Sequence, residues 1–125
     1  MVKILYVDDN TYNRNKLEDI LNKLGEFEVQ GFEDGFDLIR YYKNLNDSKI
    51  QVDIIFINCV MQTISGFDTL RTVMKINPNT KVVMMTGRHM PNVIDGIKLG
   101  AKWFVWKPLN EENVKSAVAR FIELN

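Results

Sequence analysis

Apolar residues along the chain follow two alternating rhythms. Short runs rich in Val, Ile and aromatic residues occupy positions 4–7, 27–32, 52–57, 82–85 and 103–106, and such runs predict strands. Between them the spacing lengthens. Leu17, Ile20, Leu21 and Leu24 fall at i, i+3, i+4 and i+7, and Val114, Ala117, Val118, Phe121 and Ile122 repeat that stripe near the C-terminus. Both patterns put the apolar side chains on one face of a helix. Three further helices, near 36–45, 67–76 and 91–99, are read from their end signals. Asp34, Ser65 and Asn110 suit N-caps, and Pro91 suits a first helical position. Gly25 and Gly100 stand where a left-handed C-terminal residue is expected, and Pro78 closes the third helix.

The resulting order is strand then helix, five times over. Right-handed crossovers then require a parallel sheet covered by helices on both faces, an α/β doubly wound architecture. Continuous apolarity at 54–57 and 82–85 marks the third and fourth strands as central, buried on both sides. With 125 residues and no internal repeat or linker, the chain reads as one domain, 1–125.

Charge narrows the function classes. Sixteen basic residues balance sixteen acidic ones, so no broad positive field draws the chain to nucleic acid or an anionic membrane. No stretch is long enough to cross a bilayer, and the opening residues lack a signal-peptide core. Cys59 is the single cysteine, which fits a reducing compartment, the cytoplasm by default.

In an open doubly wound sheet, reactive groups gather at the carboxyl ends of the strands. Those ends carry Asp8 and Asp9, Asn58, Thr86 before Gly87, and Lys107 before Pro108. Adjacent carboxylates repel unless a cation separates them, and hard oxygens suit magnesium. Taken singly, the pair also reads as an acidic turn capping the next helix, Lys107 as a solvated loop lysine, and Thr86 as a strand-end hydroxyl satisfied by backbone. Their meeting on one rim favours the functional reading.

Four segments then carry a resemblance: Tyr6-Val7-Asp8-Asp9-Asn10, the run from Val52 through Asn58 to Met61, Met85-Thr86-Gly87, and Gly100-Ala101 through Lys107-Pro108. In order and spacing they resemble the signature segments of response-regulator receiver domains, the CheY-like modules of two-component phosphorelay signalling. The resemblance implies a flavodoxin-like (βα)5 three-layer sandwich with strand order 2-1-3-4-5. It implies that Asp8, Asp9, residue 58 and the Val60 carbonyl hold Mg2+, that Thr86 contacts a phosphoryl group, and that Lys107 pairs with its charge. A histidine kinase or phosphotransfer protein would supply that group, and a downstream protein target would read the outcome. Phe104 falls at the aromatic switch position, which turns inward as Thr86 moves. Phe104 and Trp106 would belong to the output surface, and a homodimer would form through the fourth helix, fifth strand and fifth helix.

The family places a phosphate-accepting aspartate where this chain has Asn58. A neutral amide is a poor nucleophile toward phosphorus, so aspartyl phosphorylation should fail. The lost charge should weaken magnesium binding and free Lys107 to pair with Asp8 or Asp9, holding the chain near one state. Gln62, Ile64 and Ser65 also depart from the pattern. A natural pseudo-receiver and a silenced working receiver both fit these departures.

Two rivals of other classes are weaker. A flavodoxin-like cofactor binder needs a phosphate-cradling first loop, whereas Asp8-Asp9-Asn10 would repel a flavin phosphate. A magnesium-dependent phosphatase with Asp8 or Asp9 as nucleophile usually alternates its acids rather than placing them side by side. A binding module, not an enzyme, is expected. His89 is a bystander in a loop, Cys59 a structural thiol, and Met61, Met84, Met85 and Met90 packing residues. A period of two puts Phe104 and Trp106 on one side of the fifth strand, facing the fourth and fifth helices.

Overall fold

The computed structural model describes residues 1–87 and 93–124. Five strands alternate with five helices: β1 (Lys3–Val7), α1 (Thr11–Leu24), β2 (Glu28–Phe32), α2 (Gly35–Asp47), β3 (Ile54–Asn58), α3 (Gly66–Ile76), β4 (Val82–Thr86), α4 (Val93–Leu99), β5 (Trp103–Trp106) and α5 (Glu111–Ala119). The strands form one parallel sheet in the order β2-β1-β3-β4-β5. This is the flavodoxin-like order that the sequence segments imply.

Side-chain alternation along the strands builds a core on each face of the sheet. Ile4, Tyr6, Ile54, Phe56, Val83, Met85 and Val105 point to one side, where Leu17 and Leu21 of α1 and Val114 and Val118 of α5 meet them. Leu5, Val7, Ile55, Ile57, Val82 and Met84 point to the other, against Leu38 of α2 and Leu70 and Val73 of α3. Every residue of β3 and β4 is buried, as expected for central strands covered twice.

The helix starts follow their caps. The carboxylate of Asp34 accepts from Phe36 N at 2.7 Å, and the Ser65 hydroxyl accepts from Asp68 N at 3.1 Å. Asn110 and Asn113 form a reciprocal capping box at α5, each side-chain oxygen accepting from the other's backbone N–H. Asn10 caps α1 from one side only, its side-chain oxygen accepting from Asn13 N at 2.9 Å.

The C-terminal ends differ in part from expectation. Gly100 has φ +113 and so uses the freedom expected of it, but Gly25 lies at φ 177, an extended backbone rather than a left-handed turn. α5 ends at Ala119, and Phe121 and Ile122 pack on the core from the turn beyond it. Phe104 does face the α4 side, whereas α5 covers the opposite face with Trp103 and Val105, so Phe104 and Trp106 do not both meet the two helices. Pro91, His89 and Met90 lie outside the described residues.

Candidate functional site

The carboxyl ends of β1, β3 and β5 bring three of the rim side chains into one hydrogen-bonded group. β1 runs straight into Asp8, which is only 1% exposed. Burial of a charged carboxylate is costly unless each oxygen is satisfied. Here both are. Lys107 Nζ lies 3.0 Å from Asp8 Oδ2, and Asp8 Oδ1 accepts from Asn10 N at 2.9 Å and from Asn58 Nδ2 at 3.3 Å. Arg14 of α1 donates to the backbone carbonyl of Asp8 at 2.8 Å, fixing the strand end from behind.

Asn58, the last residue of β3, is also buried, and its amide has a second acceptor. Nδ2 donates to the Val60 carbonyl at 2.9 Å. One NH2 group therefore spans Asp8 Oδ1 and Val60 O. The arrangement is self-consistent, since the opposite orientation of the amide would set its oxygen against two other oxygens.

Asp9 and Thr86 flank this group without joining it. Asp9 Oδ2 accepts from Gln62 N at 3.1 Å, tying the turn after β1 to the loop after β3. The Thr86 hydroxyl donates to Gly87 O at 3.3 Å, although its side chain is buried beside the rim. Asp8, Asn58, the Val60 carbonyl and Lys107 are thus brought into contact as expected from their places on the strand ends. Arg14 and the Gln62 backbone carried no sequence signal for their roles.

Gly66 is a further determinant. A Cβ there would stand 2.1 Å from the Asn58 carbonyl oxygen and 2.7 Å from Cys59 Cα, because the first turn of α3 lies directly on the end of β3. The Gly66 N–H donates to Cys59 O at 3.0 Å and closes that approach. Gly66→Ala is expected to push α3 off the strand end at a cost of roughly 1–3 kcal/mol. Chemical denaturation would measure it, and an unchanged midpoint would contradict the contact.

Cys59 is buried, and loss of solvent pushes its thiol up to about 11 from 9.0, against smaller opposing effects of the Thr86 hydroxyl and the Lys107 charge. Burial, followed by the nearby Glu18 charge, similarly pushes the Tyr6 hydroxyl up to about 12 from 10.0. Both groups stay protonated in the fold at pH values where the unfolded chain has begun to ionise. Folding stability should therefore be fully present below pH 9 and fall as pH rises through 9 to 12. A loss on the order of 2 kcal/mol is expected from each group. A flat stability profile over that alkaline range would count against it.

As a donor set, the Asp8 and Asp9 carboxylates, the Val60 carbonyl and the Asn58 amide oxygen are all hard oxygens of the kind Mg2+ prefers. Four of those atoms, both oxygens of Asp8, Asp9 Oδ2 and Val60 O, already face an N–H donor. Among the described residues no group of three or more His, Cys, Asp or Glu side chains could hold a metal ion. No helix among them is long and apolar enough to cross a membrane.

A parallel 2-1-3-4-5 sheet with an acidic residue, a buried amide and a lysine on its carboxyl rim defines a small doubly wound α/β domain with a polar site at its strand ends. The chain belongs to the response regulator receiver domain family, whose model matches residues 4–119. It is 34% identical over 118 residues to the chemotaxis protein CheY of Thermotoga maritima, covering 93% of each chain. Its fold matches a receiver domain from Clostridium thermocellum with a TM-score of 0.85 at 27% identity, covering 98% of this chain and 94% of that one. It matches equally well the CheX–CheY–BeF3–Mg2+ complex from Borrelia burgdorferi, with a TM-score of 0.85 at 26% identity, 98% of this chain and 90% of that one. Modules of this CheY-like kind serve two-component signalling and are generally not enzymes.

Proposed function

We propose that this chain is a receiver domain of cytoplasmic two-component signalling held in one state, acting by binding proteins rather than by accepting a phosphoryl group. The carrying observation is the saturation of Asp8 by Lys107 and by the Asn58 amide. An aspartate at position 58 would leave the rim short of positive charge and dependent on a cation. Asn58 supplies two N–H bonds in place of that demand, and its neutral amide lacks the nucleophilic oxygen that phosphoryl transfer needs.

Asp8, Asp9, residue 58 and the Val60 carbonyl would hold Mg2+, which when bound neutralises charge on a phosphoryl group. The amide lowers that affinity, because Nδ2 must turn away from Asp8 and Val60 before their oxygens are free. Thr86 and Lys107 keep the positions for contacting phosphate oxygens. A histidine kinase or phosphotransfer protein still finds the rim, and a downstream target finds the surface of α4, β5 and α5. There Ile94 and Ile97 are 66% and 57% exposed, and Trp106 is 48% exposed, an apolar set that a target or a second copy of the chain would cover. Acidic side chains on the rim disfavour a flavin phosphate, and the engaged oxygens of Asp8 disfavour a phosphatase nucleophile.

Intact-mass analysis of this chain and of Asn58→Asp, each incubated with Mg2+ and acetyl phosphate, tests the reading. Only the variant should gain a labile phosphoryl group. Phosphorylation of the unmodified chain at Asn58 would end the proposal, and failure of both would mark a rim that has lost its chemistry through more than one residue.

A further inference from the structure

Gly96 is the buried residue of α4, while Ile94 and Ile97 of the same helix face outward. A Cβ at Gly96 would lie 2.5 Å from Phe104 Cζ, 3.4 Å from Phe104 Cε1 and 3.1 Å from Phe67 Cε1. The tip of the Phe104 ring therefore rests against bare helix backbone at Gly96, where the Phe67 side chain of α3 also approaches. No side chain could occupy position 96 without displacing it. Glycine is an unfavourable choice inside a helix, where alanine is preferred, so its presence here is accounted for by the ring it admits.

We propose that Gly96 forms a socket that keeps the Phe104 ring inside, against α4, whatever the charge state of the rim. Three observations support the independence. Phe104 has no hydroxyl, so nothing polar draws it toward water, and turning it out would expose an aromatic ring. Its Cα partner in the sheet is Met84, a fully buried residue, and the ring packs with the apolar core on that face. The Thr86 hydroxyl, two residues further along β4, is bonded to Gly87 O. The socket thus fixes how α4 sits on β5, and with it the spacing of Ile94, Ile97 and Trp106. This deepens the proposed reading by naming the state in which the surface is held, and rests on it only for the use of that surface.

Nuclear Overhauser contacts between the Phe104 ring protons and the Gly96 α-protons test the socket directly in the unmodified chain and should be present. Gly96→Ala should displace the ring from the α4 backbone and lower the melting temperature, whereas in a Phe104→Ala background the same change should raise it, because alanine then only improves the helix. A rise in both backgrounds would overturn the socket. For the independence, the Asn58→Asp variant is compared with and without Mg2+ and beryllofluoride. Ring contacts at Gly96 that persist in both support the proposal, and contacts that appear or vanish with beryllofluoride overturn it. Failure of beryllofluoride to bind that variant would mark a rim that has lost its phosphate chemistry through more than residue 58, and the socket is then decided by the ring contacts with and without Mg2+ and by the two Gly96→Ala backgrounds.

Discussion

Asn58→Asp should lose about 3 kcal/mol of stability in metal-free buffer and recover most of it on addition of Mg2+. The change removes the NH2 group that joins Asp8 Oδ1 to Val60 O, at 3.3 and 2.9 Å, and places a second carboxylate beside a buried one. Two hydrogen bonds of ordinary strength go, the Val60 carbonyl is left without its partner, and like charges now face each other in a poorly solvated site. A divalent cation reverses each of these effects at once, since it bonds the same oxygens and cancels the added charge. Melting temperature measured with chelator and with Mg2+ reads both halves, and the unmodified chain should move far less between the two buffers. A variant as stable as the parent without metal would mean that the amide does not bridge those oxygens.

Lys107→Met should cost about 3 kcal/mol in any buffer lacking a divalent cation. Lys107 Nζ is the one side-chain cation on the Asp8 carboxylate among the described residues, and the Asp8 side chain is 2% exposed. Removing one member of a buried pair strands the other, which is far more damaging than the net worth of the pair suggests. The isosteric stem of methionine keeps the packing, so the loss isolates charge. Asp8→Asn in the same chain should then return much of the stability, because the stranded charge is gone. Urea denaturation of the two single variants and the double variant measures the coupling, and additive effects would show that the pair does not act as a unit.

Much of this rim was legible before any geometry, because a doubly wound sheet puts strand ends on one side and each end here bears a chemically distinctive residue. Asp8, Asn58 and Lys107 are far apart in sequence and meet because β1, β3 and β5 point the same way. The details that escaped are those set by three-dimensional contact. Arg14 is one charged residue on a helix like several others, and nothing in its spacing shows that it reaches the Asp8 carbonyl. Gly66 looks like a helix-start glycine until α3 is seen lying on the Asn58 backbone. Gly25 was expected in a left-handed turn and is extended, because a glycine signal gives freedom without fixing how it is used. Phe121 and Ile122 keep the apolar spacing of α5 while packing from the turn after it, a case where burial is read correctly and helix length is not.

The two edges of the sheet are unlike. β2 exposes Glu28 and Gln30 along one edge, with Lys3 paired to Glu28 at 3.2 Å, a charged margin that resists pairing with another strand. β5 borders the opposite edge with Trp103 and Trp106, short at four residues but aromatic. An encounter between copies through β5 would use up the only hospitable margin each copy has. An association through β5 alone would close at two, because the charged β2 edge offers no second strand margin along which to grow into a fibre.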